Sequence, residues 1–144
     1  MKLLATFVLA LALVISSFTS LSASLYPSNY ELALKNGETI HIDGIIEMYA
    51  GGSKEWILAI QYDTDSLDDK PRLCERAELL WPHLQPLIEK KGWSWGSVRA
   101  SKKTTSSILG FFKKTDSIAW AVGFQKVDGK WRIMNDECKT LQNK

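Results

Sequence analysis

Apolar positions pass through four regimes along the chain. Leu3 to Ile15 is an almost unbroken apolar run. Between Tyr30 and Tyr62 the spacing is mostly two, the period of half-buried strands. Between Leu73 and Ile88 it becomes three and four, the period of a helix face, and from Trp93 to Met134 it returns to two.

The first strand candidate, Tyr30 to Lys35, is stopped by Asn36-Gly37, a strong hairpin signal. From Thr39 the alternation places Ile40, Ile42, Ile46 and Met48 on one face and His41, Asp43, Glu47 and Tyr49 on the other. Ile45 is the single exception. A turn at Ala50-Gly51-Gly52-Ser53 leads into Trp56 to Tyr62, apolar on both sides until Gln61, which predicts a central strand covered on both faces.

Asp68 or Asp69 is placed to cap a helix, with Pro71 in its first turn, where a missing N–H costs nothing. Leu73, Ala77, Leu80, Leu84 and Leu87 form its apolar stripe, broadened by Cys74, Trp81 and Ile88, and Gly92 ends it. Pro82 and Pro86 each remove a backbone donor, which predicts one kinked helix or two short ones. Four strands are expected afterwards: Trp93 to Ala100, Ile108 to Phe112, Ile118 to Val127, and Trp131 to Met134 behind an Asp128-Gly129 hairpin. Within them Ile118, Trp120, Val122 and Phe124 share a face, and so do Trp93 and Trp95. The order β-β-β-α-β-β-β-β predicts an α+β fold, an antiparallel sheet packed on one kinked helix, in a single domain over residues 24–144. Trp56, Trp81, Trp120 and Trp131 are expected in its core.

The segment Gly123-Phe124-Gln125-Lys126-Val127-Asp128-Gly129-Lys130-Trp131-Arg132-Ile133 resembles the closing hairpin of NTF2-like and cystatin-like domains. The wider pattern is similar to small exported bacterial proteins. The resemblance implies a curved sheet wrapped on a helix and carries over no functional residue. In those folds the long helix comes first, whereas here it follows three strands.

Lys2, the run Leu3 to Ile15 and the small residues from Ser16 to Ser24 have the layout of a secretory signal peptide over residues 1–23. The run is shorter than the ~20 residues that span a bilayer. Export to the periplasm or the medium is expected, without stable membrane insertion. Only two cysteines exist, Cys74 and Cys138. In an oxidising compartment such a pair is expected to form one disulfide rather than two buried thiols.

The formal charge of +2 gives no whole-molecule argument for nucleic acid. Charge is unevenly placed, however. Ser24 to Lys91 holds 7 Lys+Arg against 12 Asp+Glu, a balance of −5, and Gly92 to Lys144 holds 10 against 4, a balance of +6. The two halves can attract each other on folding, or the basic half can meet an anionic partner or envelope surface.

No nucleophile-elbow, zinc-protease or phosphate-loop motif is present, and no cofactor or metal is expected. His41 and Asp43 share a strand face and are the one candidate acid–base pair. Asp63, Asp65, Asp68 and Asp69 fail the EF-hand spacing and read as helix capping and solvated charge. Trp93, Trp95, Arg99 and Lys102 are the nearest grouping of aromatic area with positive charge, the composition of binding hot spots. The expectation is therefore an exported, non-catalytic binding or accessory protein, for example an inhibitor or immunity protein. Its partner would be a protein or small ligand of the envelope or extracellular space. The rival reading is an enzyme with an NTF2-like cavity that uses His41 and Asp43.

Overall fold

Two sequence signals set tight turns. Leu34 N–H reaches the Glu38 carbonyl across Lys35-Asn36-Gly37, with Gly37 at φ +89°, so β1 (Ser28–Ala33) folds back on β2 (Thr39–Ala50). β2 turns into β3 (Glu55–Asp63). Asp128 and Gly129 both have positive φ and join β5 (Phe112–Val127) to β6 (Lys130–Ile133) as a two-residue hairpin. In this computed structural model residues 26–142 are described, apart from 53, 109 and 111; the expected signal segment lies outside them.

Between β3 and β4 (Trp95–Ile108) lies α1 (Lys70–Lys90), one continuous helix of 21 residues. The Asp69 side chain accepts the Arg72 N–H at its start. At its end Gly92 N–H bonds the Glu89 carbonyl and Trp93 N–H the Ile88 carbonyl, a Schellman closure with Gly92 at φ +70°. Pro82 and Pro86 both lie on the exposed side, where the carbonyls they leave unbonded can face water. The opposite stripe, Leu73, Cys74, Ala77, Leu80, Trp81, Leu84 and Ile88, is buried against the sheet.

The fold is α+β with six strands in the order β1-β2-β3-β4-β5-β6. The sheet is mixed, which corrects the antiparallel expectation: β3 and β4 are parallel neighbours, from Leu58↔Gly96 to Asp63↔Ser101. A helix of 21 residues rises about 31 Å and returns the chain to the end from which β3 started, so the next strand runs the same way. Six strands form rather than seven, because Ile108 and Phe112 are cross-strand partners at the tip of one long β4–β5 hairpin. A short helix unforeseen from the sequence, α2 (Asp136–Gln142), closes the chain. It carries Cys138, which is disulfide-bonded to Cys74 on α1 with Cα atoms 5.4 Å apart.

A bulge between Ile42 and Gly44 breaks the alternation of β2. Ile40, Ile42 and Ile45 are buried in the core, while Ile46 is largely exposed. Ile46 and Met48 therefore leave the core face, and Glu47 and Tyr49 exchange sides with them. Trp81 is buried, and Trp93, Trp120 and Trp131 pack partly buried against the core. Trp56 is the exception to the expected core, with 52% of its surface exposed.

Candidate functional site

The parallel pair fixes where a cleft can form. Outside the carboxyl end of β3, the N-terminus of α1 and the adjoining stretch of β4 enclose a cleft of about 400 Å³, lined by His41, Asp63, Asp69, Arg72, Arg76 and Lys103 among others. Ligand sites in sheets with parallel strands favour this position.

Its charges are already paired with one another. Glu38 takes Arg72 at 2.8 Å and Arg76 at 2.8 Å. The Arg76 bond, and then Arg72, hold the Glu38 carboxyl below its ordinary range against the opposing effect of burial. Arg76 also lies over the ring of buried Tyr62, whose phenol is pushed up to about 12 by burial. The Lys103 ammonium stands between two carboxylates, 2.6 Å from Asp43 and 2.9 Å from Asp63. Burial pushes the Asp43 carboxyl up, but hydrogen bonds from Lys103 and Gln61 outweigh it and leave it below its usual value. The Asp43 bond in turn raises Lys103.

His41 and Asp43 are brought together, as one strand face requires. Ligand atoms of His41, Asp43 and Asp63 lie within 4.8 Å of one another, a spacing that could hold a cation. The ammonium of Lys103 supplies positive charge at that point. His41 Nδ1 is in turn paired with Glu31 Oε1 at 2.9 Å. A general acid or base near neutral pH needs a group moved toward neutrality. Asp43 is moved down and Lys103 up, both away from it.

The aromatic and basic candidates are divided. Trp95 and Arg99 share a face of β4, where the Arg99 guanidinium contacts Met48 Sδ at 3.3 Å. Lys102 alternates to the other face, opposite Ile118. Trp93 precedes β4, closes the end of α1 and stacks on Trp56 with ring centroids 6.4 Å apart. Tyr49 meets Trp56 edge-on at 5.6 Å as its cross-strand partner.

This row of Tyr49, Trp56 and Trp93 is an aromatic ledge at the end of the sheet opposite the cleft. Tyr49 is 55% exposed. Lys91 lies over the Trp93 ring at 4.6 Å and pairs with Glu47 at 2.5 Å, which gives the ledge a charged border. Sequence reasoning missed Trp56 and Tyr49 because their strands read as core-forming. The signal available was Ile45, whose break in the alternation marks the bulge that turns Tyr49 to the side of Trp56.

Comparison with models of protein families, with curated proteins and with solved structures finds no match for this chain, so no relative supplies a role for its residues.

Proposed function

We propose that this is an exported, non-catalytic binding or accessory protein, of the kind that occupies a partner's surface as an inhibitor or immunity protein does. Its partner seats on the ledge of Tyr49, Trp56 and Trp93. The observation that carries the reading is the pair Tyr49 and Trp56, each more than half exposed at 55% and 52% and in edge-on contact. Trp and Tyr dominate binding hot spots because they bury large rigid area at low entropic cost. Export is supported by the signal-like leader and by the disulfide, which belongs to oxidising compartments. Among the described residues no helix is long and apolar enough to cross a membrane.

The enzyme reading is the weaker one. It needs a desolvated carboxylate or histidine in a deep cavity, whereas Asp43 is held ionised by Lys103 and the cleft is floored by completed ion pairs. The test is affinity capture from envelope extract and culture medium with immobilised mature protein. Trp56→Ala and Tyr49→Ala are expected to lose the retained partner while melting within a degree or two of the parent, as surface substitutions do. Undiminished capture by both variants would remove the ledge from the proposal.

A further inference from the structure

β3 follows β4 only as far as Asp63↔Ser101, and β6 follows β5 only from Phe124. Beyond those limits β4 and β5 pair with each other alone, over seven cross-strand pairs from Lys102↔Ile118 to Ile108↔Phe112. That ribbon is about 20 Å long at the usual strand rise. Residues 103–107 and 112–119 are all exposed. A two-stranded ribbon with no covered face has little to stabilise it in water. Its side-chain links are few: Thr105 and Thr115 hydroxyls at 3.3 Å, and the Ser106 hydroxyl donating to the Lys114 carbonyl at 3.5 Å.

The ribbon nevertheless carries the two most exposed large apolar side chains among the described residues, Phe112 at 70% and Ile118 at 60%. Strand alternation puts Phe112, Lys114, Asp116 and Ile118 on one face, with Lys102 directly across from Ile118, and Lys113 on the other face. Four lysines, Lys102, Lys103, Lys113 and Lys114, stand against one acid, Asp116. Lys103 is engaged at the base by Asp43 and Asp63, and Lys114 shares Asp116 at 3.2 Å. Lys102 and Lys113 have no acidic partner among the described residues.

We infer that the ribbon is a peripheral contact for an anionic phospholipid surface. Phe112 enters the headgroup boundary while Lys102 and Lys114, on the same face, meet lipid phosphates. An aromatic ring next to lysines is the composition that rests at a membrane interface, and basic residues near an anionic leaflet add attraction that salt screens. A protein partner needs a packed interface of about 1,000 Å², and two apolar side chains separated by polar positions offer no core for one. Pairing with a second copy along the ribbon's edge is opposed by the same lysines.

The experiment sediments mature protein with vesicles of phosphatidylcholine alone or mixed with phosphatidylglycerol, at low and high salt. Binding is expected only with phosphatidylglycerol and is expected to be lost at high salt. Lys114→Gln should weaken it about fivefold. Phe112→Ser should weaken the low-salt binding without changing how steeply it falls with salt. Trp56→Ala should leave it unchanged, which separates this inference from the ledge. Lys102→Gln, far from the tip, should weaken binding about fivefold even if the tip variants misfold. Absence of binding to both vesicles, equal binding to both, or full binding by the lysine variants overturns the inference. Retention on soluble polyglutamate without vesicle binding overturns it in favour of an acidic protein partner.

Discussion

Gly96 sets how closely the helix lies on the sheet. A Cβ built there would stand 2.2 Å from Ile88 Cδ1 and 2.8 Å from Trp81 Cζ3. The Ile88 methyl can swing aside, but the Trp81 ring cannot. Its indole stacks on Phe124 at 4.0 Å and meets Trp131 edge-on at 4.9 Å. Gly96→Ala is therefore expected to destabilise by about 1–3 kcal/mol, as overpacking of a filled core does. A thermal melt should show a drop of several degrees, with the fold retained by circular dichroism. An alanine variant as stable as the parent would mean that α1 can step away from β4 without loss. One residue also decides the faces of β2. Ile45, an anomaly in a strict period of two, is buried because the bulge after Ile42 shifts every later side chain to the opposite face.

At the scale of elements, the local signals were readable and the non-local ones were not. Asp69, Pro71 and Gly92 bound α1 where their chemistry says they should, and Asn36-Gly37 and Asp128-Gly129 make the turns they encode. The parallel pairing of β3 with β4 is not written in either strand; it follows from the length of the helix between them. Nor does sequence show that Ile118, in phase with buried Val122 and Phe124, lies beyond the last strand able to cover it. The candidate site was legible only in part. His41 and Asp43 adjoin on one strand, but Lys103 reaches Asp43 from β4, 60 positions further along the chain. Helix α2 was unforeseen because seven residues give too short a period to read, yet its cysteine was foreseen. The Cys74–Cys138 bond closes a loop of 64 positions and docks α2 on α1. Chain entropy gives such a closure roughly 4 kcal/mol. Reduction, or the double change Cys74→Ser and Cys138→Ser, is expected to lower Tm by many degrees. Intact mature protein should show no thiol to a labelling reagent until it is unfolded and reduced. A melt indifferent to reductant would show that packing alone holds α2.

Across the whole molecule, the acidic first half and the basic second half meet in specific pairs. Lys103 bonds Asp43 and Asp63, and Lys126 reaches Glu89 at 3.4 Å. Within the first half, Arg76 and Arg72 hold Glu38, and Lys91 holds Glu47. The fold keeps Glu38, Asp43, Glu47 and Glu89 below their ordinary values. Near pH 4 the unfolded chain therefore binds more protons than the folded one, so stability rises with pH there. The carboxylate contribution is complete above the unfolded values and disappears as pH falls through the folded ones. At the alkaline end Lys91 and Lys103 are raised, and Tyr62 is raised to about 12. These groups lose protons first in the unfolded chain, so stability falls as pH climbs past about 10. Tm is expected to be level from roughly pH 5 to 9 and to drop on both sides. Asp43→Asn isolates one contributor. At pH 7 it should cost about 1 kcal/mol, a value kept low because Lys103 is nearly half exposed. As pH falls through the depressed folded value of Asp43 the parent carboxyl becomes protonated too, so the two melting curves should converge at the acid end. A Tm difference that stays constant from pH 7 to that acid limit would show that the Asp43–Lys103 charge pair contributes nothing to stability.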